Sequence, residues 1–342
     1  METLMATSLC IGVMGALFLP NEYTRMTAAV VSRTMNCWPL RDGQAVALFV
    51  ESMAVHGEAG PLDKSVQWYA GTNQRQMPSA LKLSKDASSL AFDPLGDRMF
   101  VAFNNGMLKE FLMADAEPSA AVLGHVAGLT EVLCAPNGKS LLTTGDRGLE
   151  LWDVQPHGRT LAKTSRLLAT GKIDCLAISP CSHAVIAGIT SAEGSRLVQI
   201  DLRYRSAAPL SERIERLSRL LISPNGKQLA AIHETGEISW FQRASYQSSW
   251  QLVDFPGLRT VIKLLASFSP DSRLFITCER FGPTLLVWDL QTKTVQQSVD
   301  SSTGLLHGCA FLDASHVLTW GLNRNLTDDS LFPQDDVQVI EL

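Results

Sequence analysis

The sequence predicts an all-β protein made of seven repeats of one small antiparallel sheet. Three observations carry that expectation. Short apolar runs alternate with turn residues, as in Leu129–Cys134, Pro136-Asn137-Gly138, Ser140–Thr144, Asp146-Arg147-Gly148 and Leu149–Trp152. The three-to-four-residue apolar spacing of a helix is absent, and Asn-Gly and Asp-x-Gly fall where tight hairpins need them. A large apolar residue recurs at one place in each repeat, at Trp68, Phe111, Trp152, Ile200, Phe241, Trp288 and Ile340. The gaps between these residues scatter around ~45 residues, the period of a four-stranded repeating unit.

Taken in order, the first repeat reads Ala28–Val31, Met35–Pro39, a turn at Arg41-Asp42-Gly43, Ala45–Glu51, a long connection and Ser65–Tyr69. The second is Ser89–Phe92, Met99–Phe103 and Met107–Leu112, and the third is the stretch quoted above. The fourth is Asp174–Ile178, Ala184–Ile189 and Arg196–Asp201. The fifth is Arg219–Ile222, Gln228–His233 and Glu237–Gln242, its first turn being Ser223-Pro224-Asn225-Gly226. The sixth is Ile262–Phe268, Leu274–Cys278 and Thr284–Asp289, turning at Ser269-Pro270-Asp271-Ser272. The seventh is Gly308–Leu312, Val317–Trp320 and Asp336–Ile340. Ala121–Leu123, Arg166–Ala169, Trp250–Val253 and Val295–Val299 fit a fourth, outer strand.

A sheet this small cannot bury both faces alone, so it must lean on copies of itself. The expected architecture is a seven-bladed β-propeller of four-stranded antiparallel blades. The last run, Val337–Glu341, matches a third strand and leaves no residues for a fourth. The missing strand is expected from upstream, with Ala28–Ser32 the candidate. An N-terminal strand pairing with the last blade would remove exposed sheet edges. Residues 28–342 are therefore read as a single propeller and residues 1–27 as an apolar lead-in.

Composition narrows the function. The chain has 342 residues, 46% of them apolar and 18% charged, so a large core can form. A net charge of −5 disfavours unspecific binding to a nucleic-acid backbone, which needs clustered Lys and Arg. The Arg-dense stretch Arg203, Arg205, Arg213, Arg216 and Arg219 carries interspersed Glu212 and Glu215, and is read as a solvated linker and outer strand. The seven cysteines lack framework spacing, which fits a reducing, cytoplasmic compartment. Leu9–Pro20 is apolar but shorter than the roughly 20 residues of a membrane span. It has no positive residue before it, as a secretory signal would. Three readings of it stand: a lead-in to the fold, an atypical export signal, or a start displaced from an upstream domain. Membrane association is expected only through this segment.

No catalytic signature is present: no H-E-x-x-H, G-x-S-x-G, G-x-x-x-x-G-K-[ST] or G-x-G-x-x-G. Cys181-x-His183 and His307-x-Cys309 lack the spacing of a zinc pair and are read as turn and core residues. Asp328, Asp329, Asp335 and Asp336 lack the regular oxygen spacing of a calcium loop. No catalytic residue, metal or cofactor is expected. Two connections between second and third strands are long, Ser52–Lys64 in the first repeat and Gly321–Asp335 in the seventh. They hold Met53, His56, Leu322, Asp328, Asp329, Leu331 and Phe332, apolar anchors beside charge. In a ring the first and seventh repeats are neighbours, so these residues are the candidate partner-binding lip.

The third repeat resembles the WD-repeat family. Gly124-His125 precedes its first strand, Ala135-Pro136-Asn137-Gly138-Lys139 forms its first turn, Asp146 lies in its second, and Trp152-Asp153 closes it. Trp288-Asp289 and Ser269-Pro270-Asp271 repeat the signature in the sixth repeat. The resemblance implies a hydrogen-bonded structural tetrad on His125, Thr144, Asp146 and Trp152. It also puts the two long connections on one end face. The expected function is a monomeric, non-catalytic interaction scaffold binding protein or peptide partners on its end faces. The alternative is a propeller enzyme, or a small-ligand or metal sensor, using the central channel.

Overall fold

The computed structural model describes residues 9–10, 30–40, 45–54, 63–70, 80–113, 119–154, 165–191, 194–255, 264–279, 282–301, 305–322 and 335–342. The short strand β1 (Leu9–Cys10) comes first. Blade 1 is β2 (Val30–Leu40), β3 (Ala45–Ala54), β4 (Asp63–Ala70) and β5 (Ala80–Leu83). Blade 2 is β6 (Ala87–Phe92), β7 (Arg98–Phe103), β8 (Met107–Leu112) and β9 (Ser119–His125). Blade 3 is β10 (Glu131–Cys134), β11 (Ser140–Gly145), β12 (Gly148–Asp153) and β13 (Ser165–Ala169). Blade 4 is β14 (Lys172–Ile178), β15 (Ala184–Ser191), β16 (Gly194–Asp201) and β17 (Ser206–Ile214). Blade 5 is β18 (Leu217–Ile222), β19 (Gln228–His233), β20 (Ile238–Gln242) and β21 (Gln251–Leu252). Blade 6 is β22 (Leu264–Phe268), β23 (Leu274–Glu279), β24 (Thr284–Asp289) and β25 (Thr294–Asp300). Blade 7 is β26 (Leu305–Phe311), β27 (His316–Leu322) and β28 (Asp335–Glu341), with β1 beside β28. Each of the seven sheets has four antiparallel strands; blades 1 to 6 are meanders of consecutive strands, and blade 7 takes its fourth from the start of the chain.

The core lies between blades rather than within them. Six apolar clusters fill the six boundaries from blades 1–2 to blades 6–7. Strand alternation feeds two boundaries from one strand. On β7, Met99, Val101 and Phe103 face blade 1, while Phe100 and Ala102 face blade 3. The recurring large residues share one direction. Phe111, Trp152, Ile200, Phe241, Trp288 and Ile340 each enter the cluster shared with the preceding blade. Each fully buried side chain of this size contributes about 1.5–3 kcal/mol of hydrophobic stabilisation. That is why the position stays large although its chemistry changes. The seventh such residue, Trp68, pairs with Ala47 on β3.

First strands of successive blades contact one another around the axis: β6 with β10, β14 with β18, β18 with β22, and β22 with β26. β2 contacts β26 and β28, so blade 1 follows blade 7 and the sheets complete a circle.

The expected placement of Ala28–Ser32 is corrected. Val30–Ser32 is the beginning of the innermost strand of blade 1, opposite Ala54–Ser52. Val30 and Val31, the described part of the run expected at Ala28–Val31, belong to one ladder with the run expected as separate at Met35–Pro39, with an irregularity between Thr34 and Asn36. A local hairpin with β3 captures the segment, because pairing across a short turn closes a smaller loop than pairing with the far end of the chain. The place beside β28 is held instead by Leu9 and Cys10, opposite Val337 and Asp336.

Candidate interaction face and channel mouth

The third blade shows how the repeat signature is used. Gly124 ends blade 2 against blade 3, and a Cβ there would come within 2.6 Å of the Trp152 ring. Glycine lets the edge of the indole reach the neighbouring strand. The indole Nε1–H donates to Thr143 Oγ1 at 2.8 Å, not to Thr144 as expected. The reason is parity. Leu141 is opposite Trp152, so Thr143, two residues on, shares its face, and Thr144 looks the other way. Thr144 Oγ1 meets Thr130 Oγ1 at 2.7 Å. Blade 6 repeats the arrangement, with Trp288 Nε1–H donating to Thr277 Oγ1 at 2.9 Å. Where the third strand carries Phe111, Ile200 or Phe241, the aligned second-strand residue is Val101, Ala187 or Ala231. In blades 3 and 6 a threonine hydroxyl stands where the indole N–H needs an acceptor.

The rest of the expected tetrad is dispersed. The His125 ring is exposed, with Nε2 at 2.8 Å from the Asn105 carbonyl oxygen in the β7–β8 turn of its own blade. That oxygen only accepts, so Nε2 carries the proton. Gly106, at φ +86, leaves the room for this ring, since a Cβ there would come within 2.7 Å of it. Asp146 is exposed in the β11–β12 turn, its carboxylate against Gly128 and its N–H on the Ala127 carbonyl at 2.8 Å.

Second-to-third-strand connections leave every blade at the end where first strands begin. The strand ends that flank the two long connections, Ala54 and Asp63 in blade 1 and Leu322 and Asp335 in blade 7, therefore share this face. Met53 lies within β3, opposite Val31, and Leu322 ends β27, opposite Leu305 and Asp335. Both are strand residues rather than loop residues. His56, Asp328, Asp329, Leu331 and Phe332 lie outside the described residues.

On the same face, blades 3 to 5 bring charged groups together at the channel mouth. Arg216 Nε is 3.3 Å from Glu234 Oε1 and 3.9 Å from Asp174 Oδ1. The Thr190 hydroxyl donates to Asp174 Oδ2 and meets Ser195 Oγ at 2.6 Å. Burial pushes the Glu131 carboxyl up to about 7, against the pull of the Arg219 guanidinium. Burial, then Glu131, then Asp174 push the Cys175 thiol up as well. The sequence suggested no ring of carboxylates; its available signal was an acidic residue at the start of two innermost strands.

The opposite face is built from first turns that latch to one another. Ser182 and Ser272 hold φ of 59° and 61°, where Gly138 and Gly226 hold 66° and 67°. Their hydroxyls accept the backbone N–H of Asn137 and Asn225 from the preceding blade, each at 2.9 Å. Arg98 Nη2 donates to the Gly138 carbonyl at 2.8 Å. The arginine-dense stretch is divided between faces. Arg203 pairs with Asp201 at 3.5 Å near the β16–β17 turn, and Arg216 and Arg219 sit at the channel mouth.

A shallow groove of about 400 Å³ lies on the rim between blades 3 and 4, lined by Leu167, Ala169, Ile189, Arg196, Val198 and Pro209 among others. Cys181 Sγ lies 3.2 Å from Ser179 Oγ. Among the described residues, no three His, Cys, Asp or Glu side chains gather as a metal-holding group.

No family model and no curated protein matches the chain. Among solved structures, it is similar to the β-propeller domain of Cps50 (Swd1) from Myceliophteria thermophila. The TM-score is 0.60 at 12% identity, over 90% of this chain and 97% of that one. The likeness is one of architecture, and the architecture is a seven-bladed β-propeller of antiparallel four-stranded blades.

Proposed function

We propose that the chain is a non-catalytic scaffold that takes protein or peptide partners on the end face carrying the second-to-third-strand connections. The supporting observation is the packing of β2 on β26 and β28, which sets the two long connections on adjacent blades of a rigid ring. The charged channel mouth of blades 3 to 5 opens on the same face and offers both signs of charge to a partner. The same proposal makes the protein a cytoplasmic monomer without cofactor. Replacing residues 55–62 and 323–334 by short Gly-Asn turns, followed by affinity capture, tests it. Loss of captured partners with an unchanged melting temperature is the expected result. Retention of every partner would remove the lip from the proposal.

A second reading is favoured by Glu131, Asp174 and Arg219 converging at the mouth. It makes the channel a small-ligand or metal sensor site. Metal analysis of the purified protein and a thermal-shift ligand screen separate the two, because only the sensor gains stability from a small molecule.

A further inference from the structure

Cys278 and Cys309 are far apart in the chain and carry no pair motif, yet the ring brings them together. Cys278 lies on β23 of blade 6, between Leu265 and Leu285. Cys309 lies on β26 of blade 7, opposite Thr319. Both are 2% exposed and belong to the cluster between the two blades. Both are thiols, and their sulfurs are 3.8 Å apart across 31 residues of chain.

We propose that Cys278 and Cys309 form a redox pair that closes into a disulfide joining blade 6 to blade 7. Bonding distance is about 2.05 Å, so the sulfurs must approach by roughly 1.8 Å. The two strands belong to different sheets and share no hydrogen-bond ladder with each other. Side-chain rotation and a small shift of blade against blade can therefore supply the approach. Burial excludes bulky thiol reagents and leaves a peroxide as the fitting oxidant. One thiol loses its proton and attacks a peroxide oxygen. The O–O bond breaks, giving a sulfenic acid and one water. The second sulfur displaces the sulfenic hydroxyl, which takes the remaining proton and leaves as a second water. Two thiols and one hydrogen peroxide thus give one disulfide and two waters.

The staple would join blade 7, whose strand β28 pairs with Leu9 and Cys10, to its neighbour in the ring. A cross-link restricts the unfolded chain and so favours the closed ring.

The test treats the full chain with hydrogen peroxide, quenches and unfolds it in denaturant, alkylates the remaining thiols there, and maps peptides without reduction. The expected product is one peptide pair joining Cys278 to Cys309, lost on adding dithiothreitol. A reversible rise in melting temperature of about 5 °C should accompany it. Cys309→Ser and Cys278→Ala should show neither. Complete alkylation of both cysteines after oxidation, sulfinic acid at either one, or a cross-link to another cysteine would overturn the proposal. The map of the parent protein decides it even if a variant fails to fold.

Discussion

Blades 3 and 4 stand side by side with one strand order and different chemistry at each matched place. At the third-strand position blade 3 has Trp152, hydrogen-bonded to Thr143, and blade 4 has Ile200 opposite Val185, with Ala187 beside it. At the first turn blade 3 has Gly138 and blade 4 has Ser182, both in the left-handed region. On the innermost strand blade 3 has Glu131, opposite Thr144, and blade 4 has Cys175, opposite Gly188. The comparison shows what these two blades keep in common: volume at the boundary and a left-handed residue in the first turn. The hydrogen bond, the serine latch and the channel charge vary with the residue that fills the place.

The largest expected effect tests the volume requirement. Trp152→Ala should cost about 3–5 kcal/mol in urea unfolding, because the indole fills the boundary between blades 2 and 3. A loss below about 1 kcal/mol would break the equivalence of the registered positions.

The channel position comes next, and its sign follows from Glu131. The folded protein raises its carboxyl from 4.5 to about 7, so folding favours the protonated form. That contribution is complete below about pH 4.5 and is lost as the pH rises through about 7. Glu131→Gln stays neutral throughout. It should match the parent near pH 4.5 and exceed it by about 3 kcal/mol above pH 7. Parallel pH profiles for parent and variant would remove Glu131 from the account.

Thr143→Val should cost about 1–2 kcal/mol, because it leaves the Trp152 N–H buried without its acceptor. In a Trp152→Phe background the same change should cost about 1 kcal/mol less. Equal costs in both backgrounds would show that the hydroxyl serves something other than the indole.

The smallest effect sharpens the turn comparison. Ser182→Gly loses the bond from Asn137 but relieves a left-handed serine, so it should fall within about 0.5 kcal/mol of the parent. Ser182→Ala keeps the strain and loses the bond, and should cost about 1–2 kcal/mol. Equal melting temperatures for the two variants would mean that the latch contributes nothing.

The candidate site was less legible than the fold. Thr143 and Thr144 are both hydroxyl residues on one strand, and the choice between them depends on which strand face meets the preceding blade. The channel mouth was hidden because Glu131, Asp174 and Arg219 lie in three separate repeats, each with an ordinary local pattern. The proposed lip rests on the length of two connections, and length names a place with room for a partner without naming the atoms that would hold it.

By itself the sequence determined the repeats, their strands and most of their turns. Period-two alternation and the φ preferences of Gly, Asn and Asp act within a few residues, so they are written locally. Only the tertiary structure decided that Val30–Ser32 belongs innermost in blade 1. Only the ring put Cys278 against Cys309 and brought Glu131 within the field of Arg219. Those outcomes depend on how separate sheets pack around an axis, and no short stretch of chain contains that packing.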